Sequence, residues 1–469
     1  MTIHFGTSGW RAVIADEFTF DNVRRVTMAI CQYVRSTTDG GESRPLIVGY
    51  DTRFLGELFS KQCVNVITAH GLDALLCDRP TPTPTISHAI RDRRAAGAIN
   101  FTASHNPPEY SGMKFSTADG APALPETTKQ LEALIREIPA TPASTADASR
   151  NNQSESYDPR PTYIADLKNK IRFDVIAKAG GRYAYDPLWG TGRGYLDYAL
   201  REHGIDVETI HDWRDVMFGG RSPEPGEDHL DELRAVVRER GCVLGLATDG
   251  DGDRFGLLDA DGTFITPNNL IALLFDYLAE SRGWTGGVAR SVATSHLVDR
   301  VAEARGLPRY ETPVGFKFIG ELINQDKITL GGEESAGLSI RGHYPEKDGI
   351  LACLLAAEAV AARGASLSAQ LEALYARVGR LENGRIGVRL TPDITASLPA
   401  RLSRDPEQIG GRRVASVNRT DGVKFIFDDG AWLLMRPSGT EPMVRIYAES
   451  ESADDLEVLL EQGRKFLLD

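Results

Sequence analysis

Cysteine is scarce: the 469 residues hold five, at 31, 63, 77, 242 and 353, and no two form a CxxC pair. They read as reduced, small apolar residues, which suits a cytoplasmic protein. Long apolar runs are missing too. The longest, residues 350–357, ends at Glu358 and is too short to cross a bilayer, so no membrane association is expected. The opening MTIHFGTSGWR has no basic segment followed by an apolar stretch, so no secretory signal is expected. Positive charge does not dominate: 53 Lys and Arg against 66 Asp and Glu leave a net −13. That balance argues against a nucleic-acid or anionic-membrane partner, although a local basic pocket can still take a phosphate. GxxxxGK[ST] and HExxH are absent, and WGTGRG at 189–194 lacks the GxGxxG spacing. NTPase, zincin and NAD-dehydrogenase readings lose support accordingly.

What is present is an ordinary globular composition, 41% hydrophobic and 25% charged, which excludes wholesale disorder. The length suggests about three or four domains. Apolar runs at residues 45–50, 72–77 and 97–101 alternate with helical periodicity at 57–70, the pattern of an α/β unit with parallel or mixed sheets. Residues 139–160, rich in Pro, Ala, Ser, Thr and Asn, read as a surface loop near a domain boundary. A second unit then runs through a helix at 161–171, a strand at 182–186 and another at 242–247. A third opens with the helix after Pro267 and includes the apolar helix 349–363. The last ninety or so residues differ: strand-like segments at 386–390, 414–418, 423–427, 431–436 and 444–449, joined by short turns, precede a helix from about Ala453. Domains are therefore expected at 1–155, 156–267, 268–380 and 381–469, the last an α+β unit with a mostly antiparallel sheet. No short-period repeat is evident.

Four segments could carry chemistry. TDGDGDRFG places Asp249, Asp251 and Asp253 at alternate positions, which point to one side of an extended chain. Carboxylates so placed repel one another unless a cation lies between them, and Gly250 and Gly252 let the backbone bend around it. An EF-hand fails on residue identity, since Arg254 holds the turn-glycine position and Ala260 the final acidic one. An octahedral Mg²⁺ would keep open positions for water or phosphate oxygen. In NFTASHNPPEYSGMKF a Pro-constrained turn presents Ser104, with His105 and Lys114 nearby; no GxSxG elbow surrounds it, and it could carry a phosphoryl group. RPSGTEP, with Arg445 just beyond, offers a guanidinium, hydroxyls and flexible amides that suit a phosphate dianion. GEESAG follows a strand, and its Glu333 and Ser335 could hydrogen-bond sugar hydroxyls or form a solvated edge; His343 and Lys347 follow in GHYPEKDG. A lysine beside a phosphate site is a plausible acid/base.

TASHNP, DGDGDR, GEES and RPSGTEP in this order, after an opening FGTSGWR, resemble the α-D-phosphohexomutase superfamily and specifically its phosphoglucomutase branch. The resemblance spans essentially the whole chain. It implies a four-domain architecture around a central cleft, three related α/β domains with mixed sheets plus a C-terminal α+β domain. It implies phosphoryl transfer at Ser104, with Mg²⁺ held by Ser104, Asp249, Asp251 and Asp253. Lys347 matches the candidate base, and His105, Lys114, Arg11 and Arg254 match residues beside the phosphoserine. Glu333, Ser335 and His343 fall to the sugar side of the site. Arg436, Ser438, Gly439, Thr440 and Arg445 match the phosphate loop. The implied reaction interconverts hexose 1- and 6-phosphates, glucose phosphates foremost, through glucose 1,6-bisphosphate, in a monomer or homodimer. One departure stands out: branches acting on mannose or glucosamine phosphates carry a histidine just after the sugar loop's Ser-Gly, where Ala336, Gly337 and Leu338 stand here. HYPEKDG resembles the phosphoglucomutase branch instead. Mannose, glucosamine and pentose phosphates remain alternative substrates, and a Mg²⁺-dependent phosphatase or a catalytically dead interaction protein remain alternative classes.

Overall fold

A computed structural model of the chain describes residues 3–6, 9–37, 44–141, 154–438 and 443–468. Its strands form four sheets. The first has six strands in the order Trp10–Val13, Tyr110–Thr117, Gly97–Phe101, Leu46–Tyr50, Ala74–Cys77, Ser154–Tyr157. The first two pairings are antiparallel and the rest parallel. The second sheet orders Phe255–Asp259, Leu244–Thr248, Arg182–Asp186 and Asp206–Thr209, again with one antiparallel edge pair. The third orders Arg309–Thr312, Gly287–Ser291, Ile328–Glu333 and Gly337–Ile340, and only the last pair is antiparallel. The fourth is antiparallel throughout and carries the C-terminal helix Ala453–Leu468 against it. Three mixed α/β sheets and one antiparallel sheet are what the sequence led us to expect.

The position of the motifs is common to all four sheets. Each lies on the connection between two antiparallel neighbours: after Gly97–Phe101, after Leu244–Thr248, after Ile328–Glu333 and after Trp432–Pro437. A strand buried along its whole length, such as Leu244–Thr248, delivers its last residue to the sheet edge at a fixed height. The polar loop begins there because backbone groups beyond the ladder need other partners.

Two features depart from the sequence reading. Residues 154–157, placed there in a loop, pair in parallel with Ala74–Cys77 as an edge strand of the first sheet, so a boundary at 155 would cut it. An edge strand buries one side only, and SESY fits: Ser154 to Ser156 are exposed and Tyr157 closes the small core around Cys77 and Ile90. The helix Gly349–Arg363, assigned to the third unit alone, packs on strands of both the second and third sheets and on helices Phe173–Ala179 and Pro267–Arg282. It lacks a polar face because it has no solvent side over most of its length. Its one carboxylate, Glu358, is fully buried and accepts from Tyr277 Oη (2.6 Å), Arg282 Nη2 (2.6 and 2.8 Å) and the Arg172 amide (2.9 Å). A single hydrophobic core accordingly runs from Tyr163 to Leu381.

Leu354→Ala in this helix should cost about 2–5 kcal/mol in chemical denaturation. Amide exchange should rise in the second and third sheets together; loss of protection in the third alone would contradict a shared core.

Candidate active site

The loop bearing Ser104 is built around a buried guanidinium. Arg53 is fully buried and paired with Asp51 (Nε to Oδ2, 3.1 Å). Its Nη2 donates to the carbonyls of Ser104 (2.8 Å) and Asn106 (2.6 Å), and its Nη1 to those of Pro107 (2.8 Å) and Tyr110 (2.9 Å). Arg11 Nη1 adds a bond to Asn106 Oδ1 (2.6 Å). Ser104 itself sits at φ +52°, a left-handed conformation that non-glycine residues rarely adopt, held by its amide on Thr102 Oγ1 (2.8 Å).

Ser104 Oγ donates to Asp249 Oδ2 at 2.7 Å, across a sequence separation of 145 residues. Asp249, Asp251 and Asp253 are all fully buried, with one carboxylate oxygen from each within 4.8 Å of the others. Lys114 Nζ reaches Asp251 Oδ2 (2.6 Å) and Asp253 Oδ2 (2.9 Å), and Lys347 Nζ reaches Asp253 Oδ2 (2.5 Å). Thr83 donates twice to Asp251, from Oγ1 to Oδ2 (2.6 Å) and from its amide to the carbonyl (2.9 Å). Both glycines of the motif are explained by space: a Cβ on Gly250 would lie 2.6 Å from the Ser104 carbonyl, and Gly252 has φ +73°.

These neighbours set the charge. Burial and the charges of Asp251 and Asp253 push Asp249 well above the usual carboxylate range. Burial acts on Asp251 the same way, but Lys114 and Lys347 more than offset it and hold that group ionised. Burial, with Arg254 and Arg11 close by, drives His105 well below its ordinary value, so the ring Nδ1, 3.3 Å from Ser104 Oγ, is neutral at pH 7. Among the described residues, Asp251 Oδ1 and Asp253 Oδ1 are buried without a hydrogen-bond partner. Unpaired buried carboxylate oxygens are costly, and a coordinated cation would satisfy them. The residues present fit a metal ion.

On the GEES loop, Glu333 is buried and accepts from the Gly315 amide (2.7 Å). Burial and the adjacent Glu334 push its carboxyl up to about 7. Glu334 accepts from Ser291 Oγ (3.0 Å) and Thr294 Oγ1 (3.1 Å). Ser335 lines a cavity of about 360 Å³ together with Arg254, Asn268, Arg385, Trp432 and Tyr447. On the fourth sheet, Arg436 and Arg445 are directly opposed across two strands, and Arg436 Nε donates to Asp421 Oδ2 (2.9 Å). The Ser438 amide closes the turn on the Met443 carbonyl (2.8 Å), while Gly439 and Thr440 lie outside the described residues.

The structure thus joins Ser104, His105, Lys114, Lys347 and the three aspartates in one network. Among the described residues, no hydrogen bond or ion pair links Arg436 or Arg445 to it. His343 is placed elsewhere than the sequence reading put it. Its side chain is fully buried, with Nε2 on Asp348 Oδ2 (2.9 Å), the same oxygen that accepts from Tyr163 Oη (2.8 Å). Asp348 caps the helix Gly349–Arg363 through the Leu351 amide (2.9 Å), so His343 steadies that helix start and does not face the cavity. Asp51, Arg53, Thr83 and Arg385 went unnoticed in the sequence. The one signal for the first two was a charged DTR directly after the buried strand Leu46–Tyr50.

Comparison with known proteins gives four family models matching in chain order. They are phosphoglucomutase/phosphomannomutase alpha/beta/alpha domain I over residues 2–141, domain II over 161–262, domain III over 266–378, and the C-terminal domain over 393–465. A phosphoglucomutase/phosphomannomutase of Thermococcus kodakarensis is 31% identical, covering 99% of this chain and 98% of its own. A phosphoglucomutase of Komagataeibacter xylinus is 31% identical over 96% and 87% of the two chains, and a probable phosphoglucosamine mutase of Methanosphaera stadtmanae 29% over 99% and 98%. A crystal structure of a putative phosphomannomutase from Thermus thermophilus superposes with a TM-score of 0.86 at 34% identity, covering 100% of both chains.

Removing Lys114 should strand the buried Asp251 carboxylate, while Asp253 keeps Lys347. Lys114→Met should lower unfolding free energy by about 3–5 kcal/mol in metal-free buffer. Adding Asp251→Asn should recover part of that loss. A double mutant no more stable than the single one would show that charge pairing is not what Lys114 supplies.

Proposed function

Because the chain belongs to the phosphoglucomutase/phosphomannomutase family, we propose that it interconverts glucose 1-phosphate and glucose 6-phosphate, with Ser104 as the phosphoryl carrier. An enzyme of the phosphohexomutase, isomerase class follows from the family itself. The observation that carries the phosphoserine reading is Ser104 Oγ seated 2.7 Å from Asp249, on the triad, while glucose rests on the resemblance of HYPEKDG to the phosphoglucomutase branch.

Asp249, Asp251 and Asp253, with an oxygen of the serine phosphate, would hold Mg²⁺, which supplies charge neutralisation to the phosphoryl group. Lys114 and Arg11 add positive charge beside it. The sugar hydroxyl attacks the Ser104 phosphate: its oxygen bonds to phosphorus, the bond to Ser104 Oγ breaks, and a sugar bisphosphate forms. Lys347, freed from Asp253 once a cation takes that carboxylate, would act as the base for the hydroxyl proton in its neutral form, and the neutral His105 ring can accept the proton that Ser104 Oγ carries between phosphorylations. The transfer itself needs positioning and charge stabilisation more than covalent help. Arg436, Ser438, Gly439, Thr440 and Arg445 grip the phosphate that is not reacting, and Glu333 and Ser335 bond the central sugar hydroxyls. The bisphosphate then turns over and returns its other phosphate to Ser104, so glucose 1,6-bisphosphate also acts as activator. A cytoplasmic monomer or homodimer suits this reading. Proteins named as probable phosphoglucosamine mutases among the relatives keep the amino sugar as a second reading.

The test is a coupled assay on the 1-phosphates of glucose, mannose and glucosamine with bisphosphate activator. Glucose 1-phosphate should give the highest kcat/KM, chelator should abolish activity and Mg²⁺ restore it. Ser104→Ala should lose at least about a thousandfold, as nucleophile removal does elsewhere, and intact-mass measurement should find a phosphate on the wild type alone. Steady release of inorganic phosphate would point to a phosphatase; a higher kcat/KM for glucosamine 1-phosphate would establish the second reading.

The Glu333 carboxyl gives a pH signature. It is raised to about 7 in the free protein, and its ionised form, with both oxygens as charged acceptors, bonds two hydroxyls more strongly than the protonated form. Raising the pH through about 7 should therefore raise kcat/KM. Glu333→Gln should remove that limb, leaving the one near pH 6 that belongs to the substrate phosphate. An unchanged profile in the variant would separate Glu333 from sugar binding.

A further inference from the structure

Arg436 and Arg445 are cross-strand partners in the fourth sheet, so two guanidinium groups of like charge leave the ladder side by side. Like charges directly opposite each other are destabilising. Among the described residues one carboxylate forms an ion pair with either of them: Asp421, whose Oδ2 accepts from Arg436 Nε (2.9 Å). The backbone sets this approach. Val423 pairs with Met435, and Gly422, just before it, has φ +83°. A Cβ on Gly422 would overlap the Met435 carbonyl oxygen and lie 3.1 Å from Arg436 Cα. Only glycine lets the chain run so close, and Asp421 is thereby held beside the strand end that enters the phosphate loop.

The same Oδ2 accepts from the Val314 amide (3.0 Å). Val314 belongs to the third unit, in the turn between strand Arg309–Thr312 and helix Phe316–Asn324, and packs against the patch around Trp432 and Val292. The next amide along, that of Gly315, donates to Glu333 Oε1 (2.7 Å). Two consecutive amides of one turn therefore hold two carboxylates, one on the sugar loop and one on the arginine of the phosphate loop. With Nε committed to Asp421, Arg436 keeps Nη1 and Nη2, which make no hydrogen bond among the described residues. That pair of nitrogens matches two oxygens of a phosphate.

We propose that Asp421 is a positioning residue: it aims the Nη edge of Arg436 at the phosphate that is not reacting and, through the Val314 amide, sets that edge in register with Glu333. This rests on the mutase reading above. Asp421 and Arg436 belong to one sheet, whereas the Val314 bond crosses to the third unit, so a single carboxylate oxygen joins the phosphate grip to the turn that braces the sugar grip. Without it the arginine keeps its charge but samples other rotamers, and ordering a long side chain on binding costs affinity. Charge alone predicts the opposite sign, since a carboxylate beside an anion site repels the anion and its removal should tighten binding. Asp421 touches neither the substrate nor the reacting atoms.

The experiment measures kcat and KM of the full-length, Ser104-phosphorylated protein for glucose 1-phosphate and glucose 6-phosphate with Mg²⁺ and bisphosphate, and amide exchange at Val314 on the same samples. Asp421→Ala should raise both KM values by at least about tenfold and to a similar degree, with kcat changed less than about threefold, the split that lost binding gives. Exchange of the Val314 amide should quicken. Asp421→Asn keeps an oxygen for both donors and should recover most of the loss. In an Arg436→Ala background, Asp421→Ala should add less than about twofold, because no guanidinium is left to aim. Asp428→Ala, which removes an exposed partner of Arg413 (3.7 Å), should match the wild type. KM values unchanged or lowered in Asp421→Ala, raised for one monophosphate alone, or raised as much without Arg436 as with it, would overturn the positioning role while leaving the mutase reading intact. A wild type that turns over neither monophosphate would overturn both.

Discussion

Three fully buried carboxylates on five consecutive residues are the constraint around which this protein is arranged. Charges in that position must be compensated, because desolvation outweighs anything a solvated pair could recover. The compensation comes from outside the loop. Lys114, Thr83 and Ser104 arrive from the first sheet's unit and Lys347 from the segment after the third sheet. Two lysines against three aspartates leave one carboxyl poorly matched, and it is Asp249, the one nearest Ser104, whose affinity for a proton rises. Folding the second unit's loop correctly therefore requires its neighbours to be in place.

The four hairpin connections serve as delivery points. A serine-bearing loop, an acidic loop, a Glu/Ser loop and an arginine-bearing loop all occupy the same topological position, the exit of a buried strand into an antiparallel neighbour. Rigid strands fix where each loop starts, and side chains from another unit fix how it bends. Arg53 shows the second half of this logic: five hydrogen bonds from one guanidinium, four to carbonyls of the Ser104 loop and one to Asp51, hold a serine in a backbone conformation it would not adopt alone.

Much of this was legible in the sequence where local signals are strong. The strands Gly97–Phe101 and Val423–Phe427 and the helix Gly349–Arg363 are found where apolar runs between turn residues put them. The DGDGD spacing announced a carboxylate cluster because alternation in an extended chain is a local property. What escaped depends on distant partners. Nothing in SESY announces a strand, since an exposed edge makes no hydrophobic demand on its residues. Arg53 and Thr83 look like ordinary polar residues until chain segments fifty to one hundred and seventy positions away close over them. His343 misled for the same reason: a histidine beside a lysine motif looks like a ligand, and only the buried Asp348 reveals it as a prop for a helix start. Asp421 could be recognised only through the ladder that sets it beside Arg436.

The apolar helix Gly349–Arg363 has a mechanical consequence. It is wedged into both the second and the third sheets, so these two units move as one block; sliding one past the other would open a hydrophobic seam along a core that runs from Tyr163 to Leu381. The first unit meets that block mainly through polar and charged contacts, and the fourth through the small patch around Trp432 and Val292. Compliance therefore resides at the C-terminal end of the chain, since the buried charges of the triad hold the first unit in place. Widening of the cleft by a swing of the fourth unit about a stationary centre leaves the triad, the Ser104 loop and the Glu333 loop at a constant separation while the Arg436 loop travels.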